Sequence, residues 1–153
     1  MSTFSYTASA HSVAPPVAVF ALIADAPGWP SWAGFLISQA RWEREGEPRP
    51  GGVGAIRRFG RWPQFGREEI LAYDPPRHME YTVLSGFPVR DYHADIDLDD
   101  DGAGGTHLSV HGTFVPKVRG TGRVLAAVSS LMIGNFARRA AAEAGRRAAP
   151  SSS

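Results

Sequence analysis

The chain has 153 residues, of which 43% are hydrophobic and 20% are charged, and its formal net charge is +1. This length and composition predict one domain with a sizeable core, and the small net charge disfavours nucleic-acid binding or a membrane-surface role. Because cysteine is absent, disulfides, thiolate metal sites and cysteine nucleophiles are excluded.

Targeting and membrane-spanning segments are not predicted. The chain begins with strand-like alternation instead of the apolar core of a signal peptide. No apolar run approaches the roughly 20 residues that a helix needs to cross a bilayer. We therefore expect a cytoplasmic protein with no membrane span, which agrees with the lack of cysteine.

One strand and two short helices are predicted at the N-terminal end. Apolar and polar residues alternate over residues 4–10, which is typical of a half-buried strand. A proline pair ending at Pro16 presets the first turn of a helix over residues 15–25, and Pro27 ends that helix. A second short helix is predicted over residues 29–35.

Strand patterns dominate the middle of the chain. Turns rich in Gly, Pro and Asp separate strand-like segments that cover residues 37–43, 53–59, 65–73, 78–84, 89–98 and 106–115. Consecutive strands joined by such short turns favour an antiparallel meander. Together with the first strand, these segments predict a seven-stranded sheet.

The pattern changes to a helical period over residues 119–148. One side of this predicted helix carries a mostly apolar stripe: Val124, Val128, Leu131, Met132, Asn135, Arg139 and Ala142. An amphipathic helix of this kind is expected to pack its stripe against the sheet. We assign residues 1–149 to a single domain and expect the tail, residues 150–153, to be frayed.

Four motifs along the chain are similar to those of a known superfamily. They are the proline-led segment that ends in Trp29-Pro30-Ser31-Trp32, Val53-Gly54 at a strand start, Asp74-Pro75-Pro76-Arg77 between strands, and Gly104-Gly105-Thr106-His107-Leu108 before the last strand. In this order the chain resembles the SRPBCC superfamily, and most of all its START-like polyketide cyclase/dehydrase branch. Each motif marks scaffold, so the resemblance is specific for fold and weak for function.

The resemblance implies an α+β helix-grip fold. In that fold a curved, seven-stranded antiparallel sheet wraps around a long C-terminal helix, and two short helices follow the first strand. The resemblance also implies an internal cavity between sheet and helix for an apolar or aromatic small molecule. Members of the superfamily include aromatic polyketide cyclases, lipid carriers, hormone and alkaloid binders, and chaperone partners.

The turns allow the strand pairing to be estimated, because antiparallel pairing keeps the sum of paired positions constant. A tight turn at residues 74–77 predicts three pairs: Ile70 with Tyr81, Glu68 with Val83, and Ala72 with Met79. The preceding turn pairs Arg57 with Glu68. All of these residues share one face, which we assign to the concave side of the sheet because the opposite face carries more charged residues.

Arg57 and Glu68 are the candidate catalytic residues. A charged pair that faces an apolar cavity is costly unless its members are hydrogen-bonded, and such groups often hold a carbonyl, phenolate or carboxylate of a ligand. The alternative is an ordinary ion pair where the strand ends reach solvent.

Further residues are candidate ligand contacts. Tyr81 and Tyr92 could donate hydrogen bonds to a bound oxygen, and Asn135 needs a polar partner if the helix stripe is buried. The alternatives are a core tyrosine satisfied by the backbone and an amide that bonds a strand end. The apolar candidates are Ile70, Met79 and Val128 in the wall, and Trp32 and Phe35 as a lid at the mouth.

No cofactor and no metal are predicted. The last hairpin is expected to set His93 near His111 and Asp97 near His107 on the convex face, where cross-strand polar pairs need no ligand. The acidic segment from Asp97 matches the start of a calcium loop, but its twelfth position is Leu108 instead of a glutamate.

Functions from different classes remain open. The chain could be a cyclase, aromatase or dehydratase in which Arg57 polarises a carbonyl and Glu68 accepts a proton. It could instead be a carrier or sensor that only sequesters its ligand, or a protein-interaction module. The charged pair favours the enzyme, whereas the lack of a histidine in the predicted cavity disfavours it. The expected partner is an apolar or aromatic small molecule, nucleic acid is not expected, and a homodimer is compatible with the sequence.

Overall fold

Seven strands form one antiparallel sheet in the computed structural model, which describes residues 2–149. The strands are β1 (Phe4–Ser12), β2 (Gln39–Arg44), β3 (Ile56–Arg61), β4 (Gln64–Asp74), β5 (His78–Ser85), β6 (Val89–Asp100) and β7 (Thr106–Pro116). Helix α1 (Pro16–Ala24) and a 3₁₀ helix (Ala26–Ser31) follow β1, and helix α2 (Gly122–Ala148) follows β7. The predicted frayed tail, residues 150–153, lies outside the described residues.

The strands lie in the order β1-β7-β6-β5-β4-β3-β2, so β2 to β7 form a meander and β1 pairs with the last strand. Helix α2 contacts β1, β7 and α1. The predicted α+β architecture of a seven-stranded antiparallel sheet with a long C-terminal helix is confirmed. Among residues 2–149, neither helix combines the length and apolar character needed to cross a membrane.

The second short helix begins earlier than predicted. It covers Ala26–Ser31 instead of residues 29–35, and α1 ends at Ala24. Pro27 therefore does not separate the two helices, because it lies in the first turn of the second one. The backbone amides of a first turn have no helical partner, so a proline is accommodated there without loss of a hydrogen bond.

The predicted pairing around Arg57 is confirmed. Arg57 lies opposite Glu68 in the β3–β4 ladder, and the β4–β5 ladder pairs Glu68 with Val83 and Ile70 with Tyr81. The predicted pair of Ala72 with Met79 is wrong. A bulge follows Ile70, so Ala72 lies opposite Glu80 and Met79 opposite Tyr73. The loop is one residue longer than the assumed tight turn, because Asp74 pairs with His78, and the bulge offsets this residue, so the predicted pairs beyond the bulge are correct.

The last hairpin is shifted by two residues from its predicted pairing. Asp95, not His93, lies opposite His111, and Asp99, not Asp97, lies opposite His107. The shift arises because pairing continues to Asp100 and Thr106, which leaves a shorter loop than expected. A shift of two residues keeps every side chain on its predicted face. The neighbours on the convex face change, however.

The face of α2 that packs on the sheet is also different from the prediction. Except for Glu143, its buried residues are small, namely Gly122, Gly134, Ala137, Ala140, Ala141 and Ala144. In the predicted stripe, Val124 is 64% exposed and Leu131 is 72% exposed, and Arg139 and Ala142 are exposed as well. Small residues let the helix approach the sheet closely, so the apolar stripe does not mark the packed side of this helix.

Two buried hydroxyl groups fix the segments around α2. Ser12 at the end of β1 donates a hydrogen bond of 2.7 Å to the carbonyl of Ala141 in α2. Thr106 at the start of β7 donates one of 2.8 Å to the carbonyl of Ala14, just before α1. Each buried hydroxyl thus has a carbonyl partner, as buried polar groups require. They hold the C-terminal half of α2 and the start of α1 at the same end of the sheet.

Candidate functional site

An internal cavity of about 470 Å³ lies between the concave face of the sheet, the segment that follows α1 and the N-terminal half of α2. Its wall is mostly apolar, with large contributions from Trp29, Phe59, Val83, Leu108, Leu125 and Phe136. Small-molecule sites typically have volumes of about 300–1,000 Å³. The cavity is therefore large enough for a ligand with one or two fused rings.

Trp29 organises one end of the cavity. Its ring lies edge-on to Phe59, with ring centroids 5.3 Å apart, and edge-on to Phe136, with centroids 4.9 Å apart. The indole Nε1 donates a hydrogen bond of 3.2 Å to the carbonyl of Ile23. Because this polar atom already has a partner, the ring offers only apolar surface to the cavity.

Two glycines in the sheet make room for aromatic rings. A Cβ atom at Gly112 would lie 2.2 Å from the ring of Tyr6, and one at Gly66 would lie 2.7 Å from the ring of Phe87. A real Cβ atom never approaches another atom so closely. Each glycine therefore allows an aromatic side chain to lie flat against the backbone of a neighbouring strand.

Arg57 and Glu68 form a buried ion pair in the cavity wall. Their side chains are 3% and 8% exposed, Oε1 of Glu68 accepts a hydrogen bond of 2.8 Å from Nε of Arg57, and Nη2 of Arg57 lies 2.7 Å from the same oxygen. The pair follows directly from the strand pairing, which sets the two residues opposite each other on the concave face. The alternative of a rim pair in contact with solvent does not apply to these buried side chains.

The guanidinium of Arg57 is held on its faces as well as at its edge. Its Cζ atom lies 4.6 Å from the ring centroid of Trp29 and 4.9 Å from that of Tyr81. Stacking on aromatic rings stabilises a desolvated cation. Nη1 contacts only the sulfur of Met79, at 3.9 Å, which is a weak acceptor. An N–H group of Nη1 is therefore available to a ligand oxygen.

Glu68 has one free oxygen. Oε2 accepts no hydrogen bond from residues 2–149, and no fully buried side-chain polar atom of that range lacks a partner, so Oε2 borders open space. Burial raises the pKa of Glu68 above the ordinary carboxyl value, and the nearby Arg57 cation opposes this effect. A carboxylate with a raised pKa is a better proton acceptor than an ordinary one.

Three tyrosine hydroxyls form a chain beside the ion pair. The hydroxyl of Tyr92 makes a short hydrogen bond with that of Tyr6 and lies 3.4 Å from that of Tyr81. Burial raises the pKa of all three phenols, so they remain neutral hydrogen-bond donors at physiological pH. Tyr81 and Tyr92 border the cavity, whereas Tyr6 supports Tyr92 from behind.

Six of the candidate residues are brought together around this cavity. Arg57, Glu68, Tyr81 and Tyr92 line it from the sheet, and Val128 and Asn135 line it from α2. Asn135 is exposed at the mouth and is not buried between helix and sheet. It therefore needs no structural partner, contrary to the reasoning that singled it out.

The other four candidates lie outside the cavity lining. Ile70 and Met79 are fully buried in the packed part of the sheet. Trp32 is buried against Phe136, with ring centroids 5.0 Å apart. Phe35, predicted as part of a lid, is 73% exposed and stacks on the guanidinium of Arg61 at 4.0 Å. The turn after the 3₁₀ helix directs it outward.

Sequence reasoning missed the contributions of Trp29, Phe136 and Tyr6. Trp29 was part of a motif interpreted as scaffold and Phe136 was not singled out, although both line the cavity. Tyr6 lies opposite Gly112 in the β1–β7 ladder. An inward-facing tyrosine opposite a glycine is a recognisable signal, but it requires the pairing of the first strand with the last.

The fold and the cavity define a helix-grip protein with an internal apolar site. The chain belongs to the polyketide cyclase / dehydrase and lipid transport family, whose model matches residues 3–148. No curated protein matches it in sequence.

Solved structures show the same fold at low sequence identity. The ZhuI aromatase/cyclase from Streptomyces sp. R1128 is 18% identical, with a TM-score of 0.77 and 97% of each chain covered. A norcoclaurine synthase point mutant from Thalictrum flavum, in complex with a transition-state analogue, is 14% identical, with a TM-score of 0.75 and coverage of 97% of this chain and 98% of that one. XoxI from Bacillus cereus is 17% identical, with a TM-score of 0.72 and coverage of 92% and 94%.

Proposed function

We propose that this chain binds an aromatic small molecule that carries a ketone or phenol oxygen, and that it acts on this molecule by proton transfer, as a cyclase or dehydratase. The observation that carries the proposal is the Arg57–Glu68 pair, which is desolvated in the wall of a mostly apolar cavity. A desolvated charged pair is destabilising unless additional hydrogen bonds, such as those to a polar ligand group, compensate for the lost solvation.

The wall selects the apolar part of the ligand. Trp29, Phe59 and Phe136 present ring edges and faces at one end, and aliphatic side chains surround the rest. Aromatic ligands gain free energy from offset or edge-on contacts with such rings beyond the burial of surface. Two structural neighbours are described as an aromatase/cyclase and a norcoclaurine synthase. Enzymes therefore use this fold, which supports the proposal of an enzyme.

Arg57 and Glu68 supply complementary steps. Oε2 of Glu68 accepts a proton from the carbon next to a ligand carbonyl, and the electron pair of that C–H bond moves onto the carbonyl oxygen. The Arg57 cation stabilises the resulting enolate. Where the next carbon carries a hydroxyl, Glu68 returns the proton to that hydroxyl. The enolate electrons then re-form the carbonyl and make a carbon–carbon double bond, and the C–O bond breaks as water leaves. Tyr81 and Tyr92 are neutral donors that orient the ligand oxygens.

The second candidate is a carrier that binds without chemistry. Its support is that no histidine lines the cavity among the described residues, and that the tyrosine hydroxyls bond to one another. Both candidates predict binding, and only the enzyme predicts proton exchange at carbon.

The proposal is tested with 2-acetonaphthone and its matched hydrocarbon, 2-ethylnaphthalene. Calorimetry is expected to show binding of the ketone about tenfold tighter than that of the hydrocarbon, because one charged hydrogen bond to Arg57 contributes about 1.5 kcal/mol. In deuterated buffer, proton NMR is expected to show faster loss of the methyl signal of the ketone when the protein is present.

Glu68→Gln is the matched variant for the second measurement, because it keeps the shape of the side chain and removes the base. We expect it to bind the ketone and to lose the exchange. Equal rates of methyl-proton exchange with and without protein would contradict the enzyme and leave the carrier as the remaining candidate. Absence of binding by either compound to the folded protein would contradict both candidates.

A further inference from the structure

A second group of polar side chains lies on the opposite, convex face of the sheet. It consists of His78 and Glu80 on β5 and His93, Asp95 and Asp97 on β6, and we call it the outer cluster. All five side chains are partly buried or at the surface, and none of them lines the cavity. The proposed function does not use them.

Three donor atoms of the outer cluster converge. Nε2 of His78 lies 2.7 Å from Oε2 of Glu80 and 3.8 Å from Oδ1 of Asp95, and one donor atom from each of the three residues falls within 4.8 Å of the others. Ligand bonds of about 2.0–2.2 Å around a tetrahedral zinc ion place the donors about 3.4 Å apart. The observed separations bracket this value, so small side-chain rotations bring the three donors to it.

Neighbouring side chains orient these three residues, as the residues that surround the ligands of a metal site do. Nδ1 of His78 lies 2.7 Å from Oδ1 of Asp97, which directs Nε2 of the same ring toward Glu80 and Asp95. Nε2 of His93 lies 2.8 Å from Oε1 of Glu80 and 3.6 Å from Oδ1 of Asp95. A carboxylate on the far nitrogen of a ligating histidine is the usual support of protein-bound zinc.

The charge around the outer cluster also suits a cation. Asp74 lies opposite His78 in the β4–β5 ladder, and His111 lies opposite Asp95 in the β6–β7 ladder. Within residues 2–149, Glu80, Asp95 and Asp97 have no arginine or lysine within 4.0 Å. Elsewhere on the same face, Glu43 bonds Arg67 and Glu69 lies near Arg44.

We propose that the outer cluster binds one divalent first-row transition metal ion, with zinc as the best match, through His78 Nε2, Glu80 and Asp95. Water completes the coordination. Asp97 orients His78, and His93 orients the two carboxylates. The metal takes the place of the proton that Nε2 of His78 shares with Glu80, so binding releases this proton. The sequence predicted no metal on this face, because cross-strand polar pairs there need no ligand; the proposal departs from that expectation because three donor atoms converge.

The ion would clamp two strands where their ladder is short. The pairing of β5 with β6 extends only from His78 opposite Asp97 to Tyr81 opposite Ala94. Glu80 and Tyr81 are consecutive, as are Tyr92 and His93, so the ligands and their supports lie directly behind the two tyrosines that border the cavity. A metal bridge between the strands therefore fixes the spacing of Tyr81 and Tyr92.

The test is calorimetric titration of the purified chain with zinc chloride after removal of metals by a chelator. We expect one ion per chain and a melting temperature that rises with zinc concentration. His78→Gln and Asp95→Asn are expected to abolish binding, and Asp97→Asn to weaken it by about tenfold to 100-fold.

His107→Gln is the matched control, because His107 is also on the convex face, with its ring 5.2 Å from that of His11 and outside the outer cluster. It is expected to bind zinc as the unmodified chain does. Circular dichroism confirms that each variant is folded. No binding by the unmodified chain, or binding that survives His78→Gln and Asp95→Asn, would overturn the proposal. Loss of binding in His107→Gln alone would overturn it too.

Discussion

The two halves of α2 differ in how they pack against the sheet. Apart from Glu143, the C-terminal half buries only small residues, such as Ala140 and Ala144, and it lies close enough to β1 for Ser12 to bond the carbonyl of Ala141. The N-terminal half carries large apolar side chains, yet Val128 and Met132 are each 42% exposed. They are exposed because the space beneath them is the cavity and its mouth.

The difference shows how one helix can both close a fold and leave a site open. Small residues bring the C-terminal half into close contact with the sheet, where it contributes stability. The N-terminal half lies over empty space, so its apolar side chains are available to a ligand. Stability and binding are therefore assigned to different turns of the same helix.

The largest predicted effect is a charge placed in the packed half. Ala140→Asp buries a carboxylate without a partner at a fully buried position, and we expect it to lower the free energy of unfolding by more than about 3 kcal/mol. Leu131→Asp, at a position that is 72% exposed, is expected to change it by less than about 0.5 kcal/mol. Urea unfolding measures both, and equal losses would contradict the division of the helix.

The next effect concerns the charged pair beneath the open half. Arg57→Met leaves Glu68 buried without its cation, and at pH 8 we expect a loss of about 3 kcal/mol. Burial already holds the pKa of Glu68 above its unfolded value. The contribution of Glu68 is therefore favourable below the ordinary carboxyl range and is lost as pH rises through the folded pKa. Because removal of Arg57 raises that pKa further, the variant should be closer to the unmodified chain at pH 5.

The double variant Arg57→Met/Glu68→Gln is the control for this pH dependence. It has no ionisable group at the pair. The difference in stability between it and the unmodified chain should therefore change much less from pH 5 to pH 8 than the difference measured for Arg57→Met. Thermal melts at the two pH values make the comparison. A single variant that is equally destabilised at both pH values would show that Glu68 is not the group responsible.

A smaller effect is expected in the chain of hydroxyls. Tyr92→Phe removes the hydroxyl that bonds Tyr6 and faces Tyr81, at a cost of about 1 kcal/mol. Tyr73→Phe, on β4 and outside this chain of hydroxyls, is expected to cost less than about 0.5 kcal/mol. If chemical denaturation gave the two variants the same stability, the hydroxyl chain would contribute nothing measurable.

Local signals were enough to predict the sheet and the charged pair. Tight turns fix the sum of paired positions, so the pairing of Arg57 with Glu68 could be counted from the turn between β3 and β4. The same count failed for Ala72, because Asp74 pairs with His78 and the loop is one residue longer than a tight turn, and the bulge after Ile70 then restores the predicted pairs. Pairing of β1 with β7 joins the first and last strands of the chain, so no turn reports it, and the role of Tyr6 went unnoticed.

The orientation of α2 could not be predicted for a different reason. Hydrophobic periodicity finds the apolar side of a helix, but it does not distinguish packing against a sheet from facing a cavity. Val128 borders the cavity, whereas Val124, one turn earlier, is 64% exposed and does not. The packed side consists of alanines and glycines, which carry little weight in such a pattern.

The central claim is that a ligand occupies the cavity beneath the N-terminal half of α2. Calorimetric titration of 2-acetonaphthone into Val128→Trp and Val124→Trp tests it most directly, because the two variants place the same ring one helical turn apart. Val128→Trp fills the cavity and is expected to weaken binding by about tenfold or more, whereas Val124→Trp should stay within about twofold of the unmodified chain. Equal affinities in the two folded variants would contradict the claim.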